Sequence, residues 1–190
     1  MPLDVRALGA DFVVSVGYKW LLGPLAVGYL YVADEHRDGA PLEENWIARE
    51  GSEDFARLVD YRDEYQPGAR RYDVGQRTHF ELLPMAIAAL EQLHAWTVAG
   101  IGEALAAVTG TVAARAADLG LDPLPVDRRG PHMLGLRLPA SVRSGIVARL
   151  AADNCFAALR GETLRIAPHL NVTDADVDRL VATLADAISH

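Results

Sequence analysis

The spacing of apolar positions changes along the chain, first short and β-like, then helical. Asp11-Phe-Val-Val-Ser-Val16 is short, apolar and β-branched, and predicts a buried strand. Val27-Gly-Tyr-Leu-Tyr-Val-Ala33 predicts a second. Between them Gly17-Tyr-Lys-Trp-Leu-Leu-Gly-Pro24 carries glycine and Gly-Pro punctuation, which marks a turn. From His36 to Arg71 the chain is polar and irregular, with Gly39, Pro41, Gly51, Pro67 and Gly68. A segment this long is expected to be functional or interfacial rather than a plain connector.

The helical period begins at Glu81. Leu82, Leu83, Met85, Ala86, Ala89, Leu90 and Leu93 predict a helix to Val98, with Pro84 near its start, where proline is tolerated. Ile101 to Leu119 repeats the pattern and Gly120 is placed to stop it. Met133–Leu138 predicts a strand, Ser141–Asp153 a helix, and Cys155–Leu159 and Thr163–Ala167 two short strands. Thr173-Asp-Ala-Asp176 resembles a capping box, and Val177, Leu180, Val181, Leu184 and Ile188 form one stripe behind it. The second half therefore reads as a small α/β layer domain. The first half has two strands and a long irregular segment, which suggests part of a larger domain. The expected division is 1–97 and 98–190.

Composition narrows the function. The chain has 190 residues, 51% hydrophobic and 23% charged, as a packed core requires. Its formal net charge of −8, without a basic run, argues against a nucleic-acid groove or an anionic membrane surface. No apolar stretch reaches the roughly 18 residues of a membrane span. The N-terminus lacks the basic and apolar regions of a signal peptide. Cys155 is the single cysteine, so an internal disulfide and metal sites built on paired cysteines are excluded. These features fit a cytoplasmic setting.

Three separated segments resemble the class V aminotransferase-type, pyridoxal-phosphate (PLP) enzymes of fold type I. They are Tyr18-Lys19-Trp20-Leu21 with Gly23-Pro24, Arg71-Tyr-Asp-Val-Gly75-Gln-Arg-Thr78, and Arg160-Gly-Glu-Thr-Leu-Arg165-Ile-Ala-Pro-His169. Their order and spacing match the C-terminal half of that family. The resemblance implies an α/β fold: a C-terminal remnant of the PLP-binding large domain (1–97) followed by the small C-terminal domain (98–190). It implies that Lys19 forms the Schiff base with PLP and moves protons at the substrate α-carbon. A lysine amine suits that work when burial or a neighbouring cation favours its neutral form. Tyr18 matches the Tyr-Lys pair of the kynureninase branch, whose hydroxyl contacts the cofactor phosphate; the other reading is a half-buried core aromatic. Arg165 matches the arginine that clamps the substrate α-carboxylate, since a planar guanidinium meets a carboxylate bidentately. Strand alternation sends Leu164 and Ile166 to the opposite face from Arg165. Gly75, Gln76 and Thr78 match a turn that reaches the phosphate of the other subunit in a dimer, with Gln76 where threonine is usual. His79 and His169 read as structural.

Two absences shape the expectation. The desulfurase branch carries a reactive cysteine on a loop before the carboxylate arginine. Here only Glu162, Thr163 and Leu164 separate Arg160-Gly161 from Arg165, and Cys155 reads as a core cysteine, which favours the kynureninase and isopenicillin-N-epimerase-like branches. The aspartate that pairs with the pyridine nitrogen and the main phosphate turn precede the lysine in relatives. Asp4 and Asp11 lie too close to Lys19 to match that aspartate. The expectation is a transferase-like PLP enzyme, or a fragment of one, acting on a small amino acid as a homodimer or with a separate chain supplying the N-terminal half. The alternative is a non-catalytic remnant or interaction module. Transamination, lyase, hydrolase and epimerase chemistry all remain open.

Overall fold

The computed structural model describes residues 3–57, 59–77 and 79–189. It divides into two compact units, Leu3–Ala95 and a second from Trp96 onward.

In the first unit the two predicted strands form and pair with each other. β1 (Phe12–Val16) runs antiparallel to β2 (Gly28–Val32), with Phe12 opposite Val32 and Val16 opposite Gly28. The expectation of a buried strand fails for β1. Phe12, Val14 and Val16 are exposed, Val14 at 77%, because this sheet has two strands and the His36 and Tyr72 rings cover that face beside Phe12 without extending along β1. Apolar alternation marks a strand that can be buried; only a covering layer buries it. After β2 the chain runs through 3₁₀ turns at Asp34–His36, Trp46–Ala48, Phe55–Arg57 and Gly68–Tyr72. Polar groups hold this segment together. The buried Gln66 amide donates to Ser52 Oγ and Glu53 Oε2 at 3.0 Å each, and the Ser52 hydroxyl donates to the Ile47 carbonyl at 2.8 Å. Tyr72 is buried and its hydroxyl bonds the His36 carbonyl. A side chain on Gly39 would collide with that hydroxyl, so the turn there needs glycine. The unit ends in α1 (Leu82–Trp96), which buries Ala86 and Ala89 and leaves Leu83, Met85, Ile87 and Leu90 exposed.

The second unit is a four-stranded antiparallel sheet with helices packed on one face. β3 (Asp122–Pro123), β4 (Leu134–Arg137), β5 (Ala158–Arg160) and β6 (Thr163–Ile166) are ordered β3-β4-β6-β5. Leu134, Leu136, Leu164 and Ile166 point to the core side. α2 (Val98–Asp118) brings Val112, Ala113 and Ala116 to them, and α5 (Asp174–Ser189) brings Val177, Leu180, Val181, Leu184 and Ala187. α2 ends as its glycine predicts. Gly120 is left-handed at φ 79°, its amide bonds the Ala117 carbonyl, and the Leu121 amide bonds that of Ala116. The cap of α5 is reciprocal: the Asp176 amide donates to Thr173 Oγ1 at 3.3 Å, while the Thr173 hydroxyl and amide donate to Asp176 Oδ2 at 2.7 and 2.9 Å.

Two element predictions need correction. The single helix at Ser141–Asp153 is two, α3 (Ala140–Arg143) and α4 (Ile146–Ala152). Ser144 is extended at ψ 121° and Gly145 turns left-handed at φ 79°, which breaks the helical path. The strand expected at Cys155–Leu159 begins only at Ala158. Asn154, left-handed at φ 56°, closes α4 instead, with the Cys155 amide on the Leu150 carbonyl. β3 is too short to read from alternation.

Leu184 has no exposed surface. Leu184→Ala should cost about 2–5 kcal/mol, measured by urea denaturation. The Thr173 hydrogen bonds hold the Asp176 carboxyl below the ordinary aspartate range. A group lowered on folding contributes stability above its unfolded pKa and loses it as pH falls through the folded value. The stability gap between the parent chain and Asp176→Asn should therefore be full at neutral pH and close in acid; a gap that does not change with pH would contradict this cap.

Candidate active site

Lys19 sits in the turn that joins β1 to β2, and the turn is closed by main-chain bonds. The Gly17 amide donates to the Val27 carbonyl at 2.8 Å, the Gly23 amide to that of Gly17 at 2.9 Å, and the Leu22 amide to that of Lys19 at 3.1 Å. Gly17 is buried, and a Cβ there would lie 2.7 Å from the Val27 oxygen, so only glycine fits. Leu22 (φ 55°) and Ala26 (φ 69°) are both left-handed, a conformation that side chains rarely adopt. The clasp thus fixes where Lys19 leaves the backbone and stores strain in the residues that follow it.

The Lys19 side chain is exposed rather than buried, and makes no ion pair among the described residues. Its ammonium lies 5.6 Å from the centre of the Tyr18 ring. Tyr18 is itself exposed, so the reading of it as a core aromatic is not what the fold shows. Lys19 is also the only lysine in the sequence, against seventeen arginines. That count was a signal available from composition. Tyr29 packs its ring against Gly17, and its hydroxyl is buried with no hydrogen-bond partner among the described residues. It is a polar group beside the lysine turn that strand alternation alone did not single out.

The Gly75 turn also belongs to the first unit. Its amide donates to Glu43 Oε2 at 2.9 Å, so a carboxylate of the same chain takes the donor that a phosphate would use. Gln76 is exposed, Arg77 pairs with Asp73, and Thr78 lies outside the described residues. Arg71, which opens this motif, is nearly buried, donates to the Gly39 carbonyl at 3.2 Å and keeps an unpartnered Nε. The acids before Lys19 are already engaged. Asp4 accepts from the Arg6 and Ala7 amides, and Asp11 pairs with His36 at 3.0 Å. Asp11, Glu35 and His36 could offer metal-ligand atoms within 4.8 Å of one another, all at the surface.

Arg165 belongs to the second unit, on β6 between Gly135 of β4 and Ala158 of β5. Leu164 and Ile166 are buried on the helix side, and Arg165 is exposed on the other. Its two neighbours across the strands are small, the Leu124 and Thr163 side chains fill the space over Gly135, and Arg165 has no salt bridge or side-chain hydrogen bond among the described residues. The hairpin that precedes it is tight: Gly161 is left-handed at φ 58° and joins β5 directly to β6. Cys155 lies elsewhere, half-buried beside a groove of about 400 Å³ between α2 and α5 on the core side of the sheet. Burial pushes its thiol above the ordinary range, which disfavours the reactive thiolate. His169 stands by Trp96, ring centres 6.5 Å apart.

No family model matches the sequence. The chain is 28% identical over 194 residues to YcbU, an uncharacterized aminotransferase of Bacillus subtilis, an alignment covering 100% of this chain and 49% of YcbU. It is 39% identical over 75 residues to the kynureninase of Deinococcus radiodurans, covering 38% of this chain and 17% of that enzyme. The fold matches a C-DES mutant with glycine covalently linked to its PLP cofactor, with TM-score 0.77 and 20% identity over 98% of this chain and 48% of that one. It also matches the cysteine desulfurase CsdA of Escherichia coli, with TM-score 0.76 and 21% identity over 99% and 48%. Its homologues and structural neighbours are class V aminotransferase-type PLP enzymes. The chain spans about half the length of YcbU and of these structures, and the partial coverage fits a C-terminal half of the class V fold. Kynureninase and desulfurase both stand among the class V matches, so the comparisons do not choose between those branches.

The clasp makes one direct prediction. Gly17→Ala should lower stability by about 1–3 kcal/mol, the usual cost of forcing an atom into filled space. A Gly17→Ala chain as stable as the parent in thermal denaturation would show that the turn does not need its glycine.

Proposed function

We propose that this chain carries the lysine and the carboxylate-binding arginine of a PLP-dependent class V enzyme that acts on a small amino acid. The observation that carries the reading is Lys19: the only lysine of the sequence stands, exposed and without an ion pair among the described residues, in a glycine-closed turn between two strands. The fold around it matches PLP enzymes over 98% of the chain.

The residues present fit part of a PLP site. Lys19 offers the primary amine, Tyr18 an exposed phenol able to donate to a phosphate, and Tyr29 a buried hydroxyl with unmet bonding capacity. PLP, when bound, supplies the electron sink that weakens the bonds at an amino acid's α-carbon. The chain's own contribution is to hold and move charge. Arg165 binds the substrate α-carboxylate with two parallel N–H donors and orients the α-carbon. Lys19, fixed by its clasp, takes and returns the proton at that carbon. The turn at Gly75, Gln76 and Thr78 is assigned to a phosphate contact across a homodimer; for that role Glu43 must release the Gly75 amide. The division is 1–97 as the remnant of the cofactor domain and 98–190 as the small domain, in a cytoplasmic protein.

Within the class we favour the kynureninase-like branch. The tight turn at Gly161 leaves no room for a cysteine-bearing loop before Arg165, and Cys155 is half-buried before β5. Neither Asp4 nor Asp11 is assigned as the acid for the pyridine nitrogen, because they serve the backbone and His36. Without those preorganised groups the 190 residues by themselves should turn over amino acids slowly or not at all. The second reading, a non-catalytic interaction module, draws on the exposed apolar side chains Val14 and Val16 of β1.

Reductive trapping separates the two. Purified chain is mixed with PLP and reduced with borohydride, and the labelled peptides are identified by mass spectrometry. The proposal expects the label on Lys19, a visible absorbance band before reduction, and loss of both in Lys19→Ala. Label confined to the N-terminal amine, with a colourless protein, would leave the interaction module.

A further inference from the structure

We propose that Arg160 and Arg137 make the Arg165 position a seat for two acidic groups, so that the amino acid held there is a dicarboxylic one. The proposal rests on Arg165 as the arginine of the α-carboxylate and names the side chain that goes with it.

Sheet register brings the three arginines together. Arg165 stands opposite Gly135 on β4 and Ala158 on β5. Thr163, two residues earlier on β6, stands opposite Arg137 and Arg160. Leu134, Leu136, Leu159 and Leu164 turn to the core. Alternation therefore puts Arg137, Arg160, Thr163 and Arg165 on the other face, away from the helices. Arg137 and Arg160 are each a diagonal neighbour of Arg165, a separation of about 7–8 Å that long side chains span. All three arginines are exposed.

Their charge is poorly neutralised. Arg160 and Arg165 have no salt bridge or side-chain hydrogen bond among the described residues. Asp122 meets Arg137 only at 3.9 Å, with both side chains open to solvent. Glu162, in the turn beside Arg160, is drawn to Arg143 at 3.2 Å. Like charges side by side on a sheet oppose folding. The chain has 26 acidic residues against 18 basic ones, so carboxylates to relieve them were not scarce. Between the charges the surface is apolar: Leu124 and the Thr163 methyl lie over Gly135, and Ala158 adds another methyl. Guanidiniums set apart across an apolar floor suit a short carbon chain with a carboxylate at each end, each carboxylate met by paired N–H donors. A monocarboxylic amino acid leaves Arg137 and Arg160 unmatched.

The test needs no cofactor and so does not depend on Lys19. Arginine Nε–H signals are followed by NMR while L-aspartate, L-glutamate or L-alanine is added at constant ionic strength. The parent chain should bind the two dicarboxylic amino acids roughly tenfold more tightly than alanine. Arg160→Gln removes an exposed side chain that has no partner, so the fold should be kept, as the amide spectrum checks. That variant should lose the preference and bind alanine as the parent does. Arg137→Gln should reduce the preference, and Arg165→Gln should weaken all three ligands. Arg115→Gln, on α2 and paired with Asp178, should change nothing. Failure of the parent to bind aspartate, equal affinity for aspartate and alanine, or an undiminished preference in Arg160→Gln overturns the proposal. So does an equal loss in Arg115→Gln, which would mean that diffuse charge is at work. Alanine binding that needs Arg165, without a preference for aspartate, sinks this proposal alone. A preference that needs Arg160, with alanine binding indifferent to Arg165→Gln, sinks the α-carboxylate role of Arg165 and leaves the second acidic seat standing.

Discussion

The hydrogen bond from the Gly17 amide to the Val27 carbonyl is the constraint on which the rest of the proposed chemistry depends. It closes the β1–β2 turn, and through the Gly23 bond to the same residue it fixes where Lys19 emerges. The bond is possible only because Gly17 has no Cβ. Leu22 and Ala26 accept left-handed backbone to complete the loop. Strain of this kind persists where surrounding structure over-determines it, and it gathers at sites where a side chain must be held in place. A single amine held in this way, in a chain without another lysine side chain, is an economical means of directing an aldehyde cofactor to one position.

The second unit meets a different requirement by an ordinary device. A half-buried antiparallel sheet shows one face to its helices and the other to solvent. Leu164 and Ile166 anchor β6 in the core, so Arg165 between them faces outward. Gly135 and Ala158 stand on either side of it, with Leu124 and Thr163 packed over Gly135. A rigid sheet supported by α2 and α5 is a better platform for a bidentate carboxylate contact than a loop would be.

Much of this was legible in the sequence, for identifiable reasons. Both strands around Lys19, the helix ending at Gly120, the capping box at Thr173 and the outward turn of Arg165 follow from local chemistry: glycine where φ is positive, a hydroxyl paired with an acid three residues on, alternation with period two. The misreadings concern what local chemistry cannot contain. The exposure of β1 and of Lys19 depends on what covers them. The split of Ser141–Asp153 turned on whether Gly145 would sit quietly in a helix or reverse its φ. The Glu43 carboxylate on the Gly75 amide joins positions far apart in sequence, and no spacing rule announces it. The single lysine was open to counting and outweighs the flanking aromatics as an indicator of the site.

The central proposal is that Lys19 holds the cofactor and Arg165 binds the substrate carboxylate. The most direct measurement is amino-acid binding to the complete, PLP-loaded assembly, followed by the change in cofactor absorbance, in the parent and in Arg165→Ala. The account predicts equal PLP occupancy of Lys19 in both, with amino-acid affinity lowered roughly ten- to hundredfold in the variant, the 1.5–3 kcal/mol of a charged hydrogen bond. It also predicts that amines lacking a carboxylate bind both proteins alike. Unchanged amino-acid affinity in Arg165→Ala would contradict the role proposed for Arg165.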